Sequence, residues 1–225
     1  MNRVFLKGDC HGKFIDIVSF IEKYELGYGD WIIVLGDMGL FWEESRNDAD
    51  SFIKYYEKRY EVNLMFIDGN HENFDILKTI PLDETGKGII SEHIFYLSRG
   101  CTFELCGKKF LCMGGADSVD RIRRINHISW WEEEKITQED IDKVDKTQHY
   151  DIILTHAAPQ SIVDSHKWEL CKLLYAENLI NHDSEGKLEE MMNGLSFDKW
   201  YFGHYHSDVV LDDKFTCLYT NFIEI

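Results

Sequence analysis

The sequence predicts an α/β fold, and three observations carry that reading. The first third alternates short apolar runs with amphipathic stretches, the signature of strand–helix units feeding a parallel sheet. One of these runs, Trp31-Ile32-Ile33-Val34-Leu35, is apolar at every position, the pattern of a strand covered on both faces. The second half is richer in short strand-like runs. With 225 residues, 44% of them hydrophobic and 29% charged, the chain can bury a sizeable core. It has two prolines and neither a repeat nor a low-complexity tract, so residues 1–225 read as one domain.

Taken in order, Val4-Phe5-Leu6 is a strand that runs into Gly8-Asp9-Cys10-His11-Gly12. Phe14, Ile17, Val18 and Ile21 recur at helical spacing and predict a helix to about Leu26. The strand Trp31–Leu35 ends at Gly36-Asp37-Met38-Gly39, and Arg46 to Tyr60 is again helical. Leu64–Ile67 is a third strand, ending at Asp68-Gly69-Asn70-His71-Glu72. Ile89–Ile90, Phe95–Leu97, Thr102–Leu105 and Phe110–Met113 predict short strands, with a turn at Cys106–Lys109. Ser129–Glu132 has capping-box spacing and Thr137–Asp140 a weaker version of it, each predicting a short helix. Asp151–Thr155 is a strand ending at His156, followed by a helical stretch between Ser161 and Met192. Trp200–Phe202 leads into Gly203-His204-Tyr205-His206, and Val209–Leu211, Thr216–Tyr219 and Phe222–Ile225 read as closing antiparallel strands.

Charge narrows the partners. Lys and Arg number 24 against 41 Asp and Glu, a net charge of −17 that disfavours nucleic acid and anionic lipid unless a local patch or bound cations reverse the field. Met1–Lys7 is broken by charge and lacks the apolar core of a secretory signal, and no later run reaches transmembrane length. The six cysteines (Cys10, Cys101, Cys106, Cys112, Cys171, Cys217) are scattered and form no C-x-x-C pair, as expected for thiols of a reducing cytoplasm.

Five predicted strands end in side chains able to hold a metal. The first supplies Asp9 and His11, the second Asp37, the third Asn70 and His71; later strands supply His156 and then His204 with His206. In open α/β sheets, ligands bind beyond the carboxyl ends of the strands. Asp9/His11 and His204/His206 are each two apart, and in extended backbone such pairs point the same way. Carboxylate, imidazole and amide oxygen together suit manganese, iron or zinc. Single histidines outside such motifs (His93, His127, His149, His166, His182) read as structural, and Cys10, between two candidate ligands, reads as packing.

Gly-Asp-Cys-His-Gly, Gly-Asp-Met-Gly, Gly-Asn-His-Glu, Thr155-His156 and Gly-His-Tyr-His, in that order over residues 8–206, resemble the five motifs of the calcineurin-like metallophosphoesterases. The resemblance implies a four-layer α/β/β/α sandwich, with two central mixed sheets flanked by helices. It implies two divalent cations, manganese first and iron or zinc as alternatives. Asp9, His11 and His206 would hold one cation, Asn70, His156 and His204 the other, and Asp37 would bridge them. A bridging hydroxide would attack the phosphoester, and His71 would stand beside the phosphate as proton donor. The implied substrate is a small phosphorylated molecule or a phosphoprotein, with a phosphodiester or nucleotide as the alternative; a non-catalytic module on the same fold would not need to keep these ligands. The Asp and Arg that follow the second motif in the phosphoprotein phosphatases are replaced here by Leu40-Phe41-Trp42-Glu43, and the Arg that often precedes Gly-Asn-His-Glu is Asp68. The phosphoprotein-type clamp is therefore missing.

One basic cluster stands out of the acidic background. Arg121, Arg123 and Arg124 follow the glycine-rich Gly114–Asp120, and arginine is the preferred bidentate phosphate donor. Arg121 and Arg124, with Asn70 and His71, are the expected phosphate-binding residues; surface pairing with Asp117 or Asp120 is the competing reading. Glu72 is expected either to orient its neighbours or to be a solvated loop carboxylate. Trp130 and Trp131 read as core, and Glu132-Glu133-Glu134 as a charge cluster at a helix start.

Overall fold

The structure is a computed structural model and describes residues 2–42, 46–170 and 183–225. Cys171, His182 and the middle of the 161–192 stretch lie outside these residues. Strands β1 (Val4–Lys7), β2 (Trp31–Val34), β3 (Asn63–Ile67), β4 (Lys87–Ile89), β5 (Ile94–Leu97) and β12 (Phe222–Glu224) form one six-stranded sheet in the order β12-β1-β2-β3-β5-β4. Strands β6 (Thr102–Leu105), β7 (Lys108–Met113), β8 (His149–Thr155), β9 (Ser196–Phe202), β10 (Val209–Val210) and β11 (Phe215–Cys217) form the other, in the order β10-β11-β9-β8-β7-β6. In each sheet four central strands are parallel and both edge strands are antiparallel.

The alternation of side chains along each strand explains the apolar runs. Leu6, Ile33, Leu35, Met65 and Ile67 from the first sheet pack with Phe110, Cys112, Ile152 and Leu154 from the second in a shared inner core. Their neighbours Phe5, Ile32, Val34, Leu64 and Phe66 point the opposite way, into a core with Ile17 and Ile21 of helix α1 (Ile15–Tyr24) and Tyr56 of α2 (Arg46–Arg59). Leu111, Met113 and Ile153 likewise meet Ile141 of α4 (Gln138–Asp142), Val163 of α5 (Gln160–Ser165), Leu170 of α6 (Lys167–Leu170) and Leu188 of α7 (Asp183–Met192). Three cores separate four layers, helix, sheet, sheet, helix, as the resemblance implied.

Two local expectations need correction, and one short helix was not expected. The capping box belongs to Thr137, whose side chain accepts from Asp140 N while the Asp140 carboxylate accepts from Thr137 N. Ser129 instead accepts from Ile125 N, and Glu132–Glu134 is a single 3-10 turn. Spacing alone could not separate the two. In the tail, β10 and β12 are antiparallel to their partners, but β11 runs parallel to β9: the chain reverses after β9 and again after β10, restoring its direction. A four-residue helix, α3 (Phe74–Leu77), too short to show periodicity, is started by Asn73, whose side chain accepts from Ile76 N.

Candidate active site

The carboxyl ends of β1, β2, β3, β8 and β9 bring the candidate ligands to one place. The backbone there is not extended. His11, Asp37, His204 and His206 have φ of 50°, 49°, 67° and 51°, so left-handed turns, not strand pleating, aim the two-apart pairs. Glycine is required where loops touch the carboxylates. A Cβ on Gly69 would stand 2.2 Å from Asp37 Oδ1, and one on Gly203 would stand 2.5 Å from Asp9 Oδ1.

Among the described residues, Asp9/His11/His206, His11/Asp37/His71 and Asp9/Asp37/His156 each place their donor atoms within 4.8 Å of one another. His11 Nε2 lies 3.0 Å from His206 Nε2 and 3.7 Å from Asp37 Oδ2. His156 Nε2 lies 3.3 Å from both Asp37 Oδ1 and Asn70 Oδ1, while its Nδ1 donates to Leu35 O at 2.7 Å. That backbone contact fixes the tautomer and leaves Nε2 as the free donor, a common arrangement behind a metal-binding histidine. Asn70 is turned by its Nδ2, which donates to Ser118 Oγ at 3.2 Å; Ser118 is in turn held by both oxygens of Glu134. His204 stands slightly apart: its backbone N donates to Asp9 Oδ1 at 2.8 Å and its ring centre is 5.1 Å from that of His156. His71 falls within a ligand-sized group, but its Nε2 accepts from Arg124 Nη2 at 2.8 Å.

These residues fit divalent cations. Asp9 Oδ2 is buried and meets no hydrogen-bond geometry, with His206 Nε2 at 3.0 Å and His11 Nε2 at 3.5 Å beside it. Two imidazole Nε2 atoms facing each other beside such an oxygen form a donor set that only a proton or a cation can reconcile. The electrostatics agree. Burial opposes ionisation of Asp37 and Asp9, but the surrounding histidines outweigh it and hold both carboxyls well below their ordinary range. Burial also disfavours charge on His156, yet Asp37 and Asp9 overcome it and raise its imidazole to about 9. His204 goes the other way, to about 3, through burial and then the charge of His156. A cation entering the site therefore competes with a proton.

Several surrounding side chains became visible only in three dimensions. Glu72 is fully buried, not solvated, and accepts from Met38 N at 2.7 Å, fixing the loop that carries Asp37; burial and then Asp37 push its carboxyl well above the ordinary range. Glu134 is buried too and is raised to about 7 by burial, so it is no surface charge cluster. Asp68, in the place of the expected Arg, pairs at 2.7 Å with the buried Arg99. Of the arginine cluster, Arg124 enters the site. It donates to Asn70 O at 3.2 Å as well as to His71, and Asp120 holds its Nε at 2.6 Å. Arg121 turns away, its guanidinium 3.3 Å from the centre of the Trp130 ring, and Arg123 is exposed. Trp130 and Trp131 are core residues, and Cys10 packs in the outer core.

The family model of the calcineurin-like phosphoesterases matches residues 3–208. The chain is 25% identical to the lariat debranching enzyme of Homo sapiens and 23% identical to lariat debranching enzyme A of Xenopus laevis, in each case over 91% of this chain and 42% of the relative. It thus spans about two fifths of the length of these curated relatives. A solved structure of a protein serine/threonine phosphatase from Saccharomyces cerevisiae aligns over 97% of this chain and 67% of its own, with a TM-score of 0.37 and 10% identity.

Proposed function

The chain belongs to the calcineurin-like phosphoesterase family, and from that premise we propose that its site hydrolyses phosphoesters with two divalent cations, manganese foremost. The observation that carries the proposal is the convergence of donors from five strand ends around a buried Asp9 oxygen that imidazole nitrogens flank without a hydrogen bond. Asp9, His11 and His206 would hold one cation, Asn70, His156 and His204 the other, and Asp37 would serve both. When bound, such cations take the phosphate oxygens and bring an attacking water to ionise near neutral pH.

The chain's own residues do the rest. Asp37, ionised by its histidine surroundings, supplies a shared anionic oxygen. Arg124, held by Asp120, turns Nη2 from His71 to a phosphate oxygen, a charge-assisted contact. Burial, with Arg124 beside it, holds the His71 imidazole down at about 4; a bound phosphate dianion that takes Arg124 away would let Nε2 gain a proton from water and donate it to the leaving oxygen, a role worth ~10²–10⁴-fold. Arg121, its guanidinium over Trp130, carries less of the phosphate than Arg124. The catalytic unit is residues 1–225 taken as one domain.

The substrate is a small phosphorylated molecule before it is a phosphoprotein, because Leu40-Phe41-Trp42 replaces the protein-phosphatase clamp. A phosphodiester is the second reading, favoured by the lariat debranching relatives and opposed for long polyanions by the net charge of −17. Among the described residues no helix is long and apolar enough to cross a membrane. Cys10, Cys101, Cys106, Cys112 and Cys217 are free thiols, which supports a cytoplasmic setting. The test is a panel of phosphomonoesters and phosphodiesters with manganese. Turnover of monoesters supports the first reading, turnover of diesters alone supports the second, and none with any metal refutes both.

A further inference from the structure

Asn70 carries one oxygen and one NH2 on the same planar group, and only the oxygen can hold a cation. The amide has two settings, related by a half-turn. In the setting observed, Nδ2 donates to Ser118 Oγ at 3.2 Å and Oδ1 lies 3.3 Å from His156 Nε2. In the reversed setting Nδ2 would face His156 Nε2. Against the neutral imidazole that ligation needs, it would donate there and take two donors away from the cation. We infer that Glu134, acting through Ser118, selects the first setting and is a positioning residue for the cation that Asn70 and His156 would share. The inference rests on the two-cation reading above and adds to it a residue that lies behind the ligands.

The hydrogen bonds run in one direction. The Ser118 backbone N–H can only donate, and it donates to Glu134 Oε1 at 2.8 Å. The Ser118 hydroxyl gives its single hydrogen to Glu134 Oε2 at 2.7 Å. An ionised carboxylate only accepts, so Ser118 Oγ has no hydrogen left for Asn70 and can only accept from it. An Asn70 oxygen turned toward Ser118 would meet another acceptor with no donor between them, in a place where all three side chains are buried. Glu134 is itself fixed, because its backbone carbonyl accepts from Ala116 N at 3.0 Å and from Arg99 Nη2 at 3.1 Å. Ser118 follows β7 and Asn70 follows β3, so the chain of bonds crosses from the second sheet to the first.

Glu134→Gln keeps the shape and inverts the order. The Gln oxygen must take the fixed Ser118 N–H, which leaves its NH2 donating to Ser118 Oγ. The hydroxyl then turns to Asn70 and needs an acceptor there, so the amide reverses. Asn70→Asp removes the choice, since a carboxylate has an oxygen on both sides. Asp at this position needs the Ser118 hydrogen, for which it competes with Glu134 and not with Gln.

The test is calorimetric titration of manganese alone into the metal-free full chain. At about pH 8 Glu134, raised to about 7 by burial, is ionised. Wild type should bind two cations. Glu134→Gln should weaken one of them by about ten- to a hundred-fold, the loss usual when a group behind a ligand is changed, and leave the other nearly unchanged. In the Asn70→Asp background the same substitution should leave that site unchanged or tighten it. Loss of the Glu134 charge alone would weaken the site in both backgrounds, so weakening in both overturns the inference. Unchanged affinities in Glu134→Gln overturn it as well. If circular dichroism shows Glu134→Gln unfolded, Ser118→Ala carries the test: one cation should weaken by about ten-fold or more, and unchanged affinity overturns the inference. A wild type that binds fewer than two cations refutes the two-cation reading itself, whereas two cations held equally well by wild type and Glu134→Gln refute only the role of Glu134.

Discussion

Arg121 and Arg124 are three residues apart and chemically identical, yet the fold gives them different surroundings. Arg124 is clamped by Asp120 and reaches His71 and Asn70, whereas Arg121 lies over Trp130. Arg124→Ala is expected to raise KM with metal content unchanged, lowering kcat/KM by about 1.5–3 kcal/mol, while Arg121→Ala stays within about 0.5 kcal/mol of wild type. Steady-state kinetics on both variants checks this; equal losses would put the phosphate elsewhere. His71→Asn should also keep the metals and lower kcat, with a smaller loss for nitrophenyl than for alkyl esters, because a good leaving group needs less protonation. Equal losses on the two substrates would remove its proton-donor role. The convergence of the strand-end candidates was legible in the sequence because Asp, Asn and His, most of them beside glycine, interrupt apolar runs. Their left-handed backbone was not, since nothing in Asp9-Cys10-His11 marks a φ of 50° at His11. Glu72 and Trp42 were hidden for another reason: a carboxylate becomes a loop anchor, and a tryptophan a cavity wall, only through what other strands bring beside them.

At the scale of elements, the segment carrying Glu133–Lys135 and the start of α4 is tied to the end of β3 by one side chain. Arg99 pairs with Asp68 and Asp140 and donates to the carbonyls of Glu133, Glu134 and Lys135. Removing it leaves Asp68 buried without its cation, so Arg99→Leu is expected to destabilise the fold by about 3–5 kcal/mol in denaturant unfolding. Asp140 makes the same link sensitive to acid. Burial opposes its ionisation, but Arg99 and Lys143 outweigh that and hold it at about 2. A depressed carboxyl stabilises above its unfolded value near 4, and the gain is lost as pH falls through about 2. The stability difference between about pH 5 and about pH 2.5 should therefore be smaller in Asp140→Asn than in wild type; an unchanged difference would assign the acid sensitivity to other groups. The sequence showed β2 and β3 because each is apolar on both faces, but only the Trp200–Phe202 end of β9, whose first half carries the exposed Ser196, Asp198 and Lys199. It could not show which capping box is real, because Ser129 and Thr137 share the spacing and differ only in where the following chain is held.

On the scale of the whole molecule, the site joins the two sheets. Asp9, His11, Asp37 and Asn70 extend from the first sheet, and His156, His204 and His206 from the second. Cations held there would tie the layers together, so chelation should lower the thermal midpoint, by the equivalent of about 2.7 kcal/mol where free metal stood at a hundred times its dissociation constant. Because His156 holds a proton up to about 9, occupancy at limiting manganese should fall between about pH 8 and about pH 6. The four-layer order followed from the family resemblance and not from periodicity, since apolar runs reveal a covered strand but not whether a helix or a second sheet covers it. The shared position of Asp37 is the centre of the account, its two oxygens lying 3.7 Å from His11 Nε2 and 3.3 Å from His156 Nε2. The most direct measurement is metal content per chain, by elemental analysis after loading with manganese, in the wild type and in Asp37→Ala. Two cations are expected in the wild type and the loss of both in the variant; two cations retained in Asp37→Ala would contradict a shared Asp37.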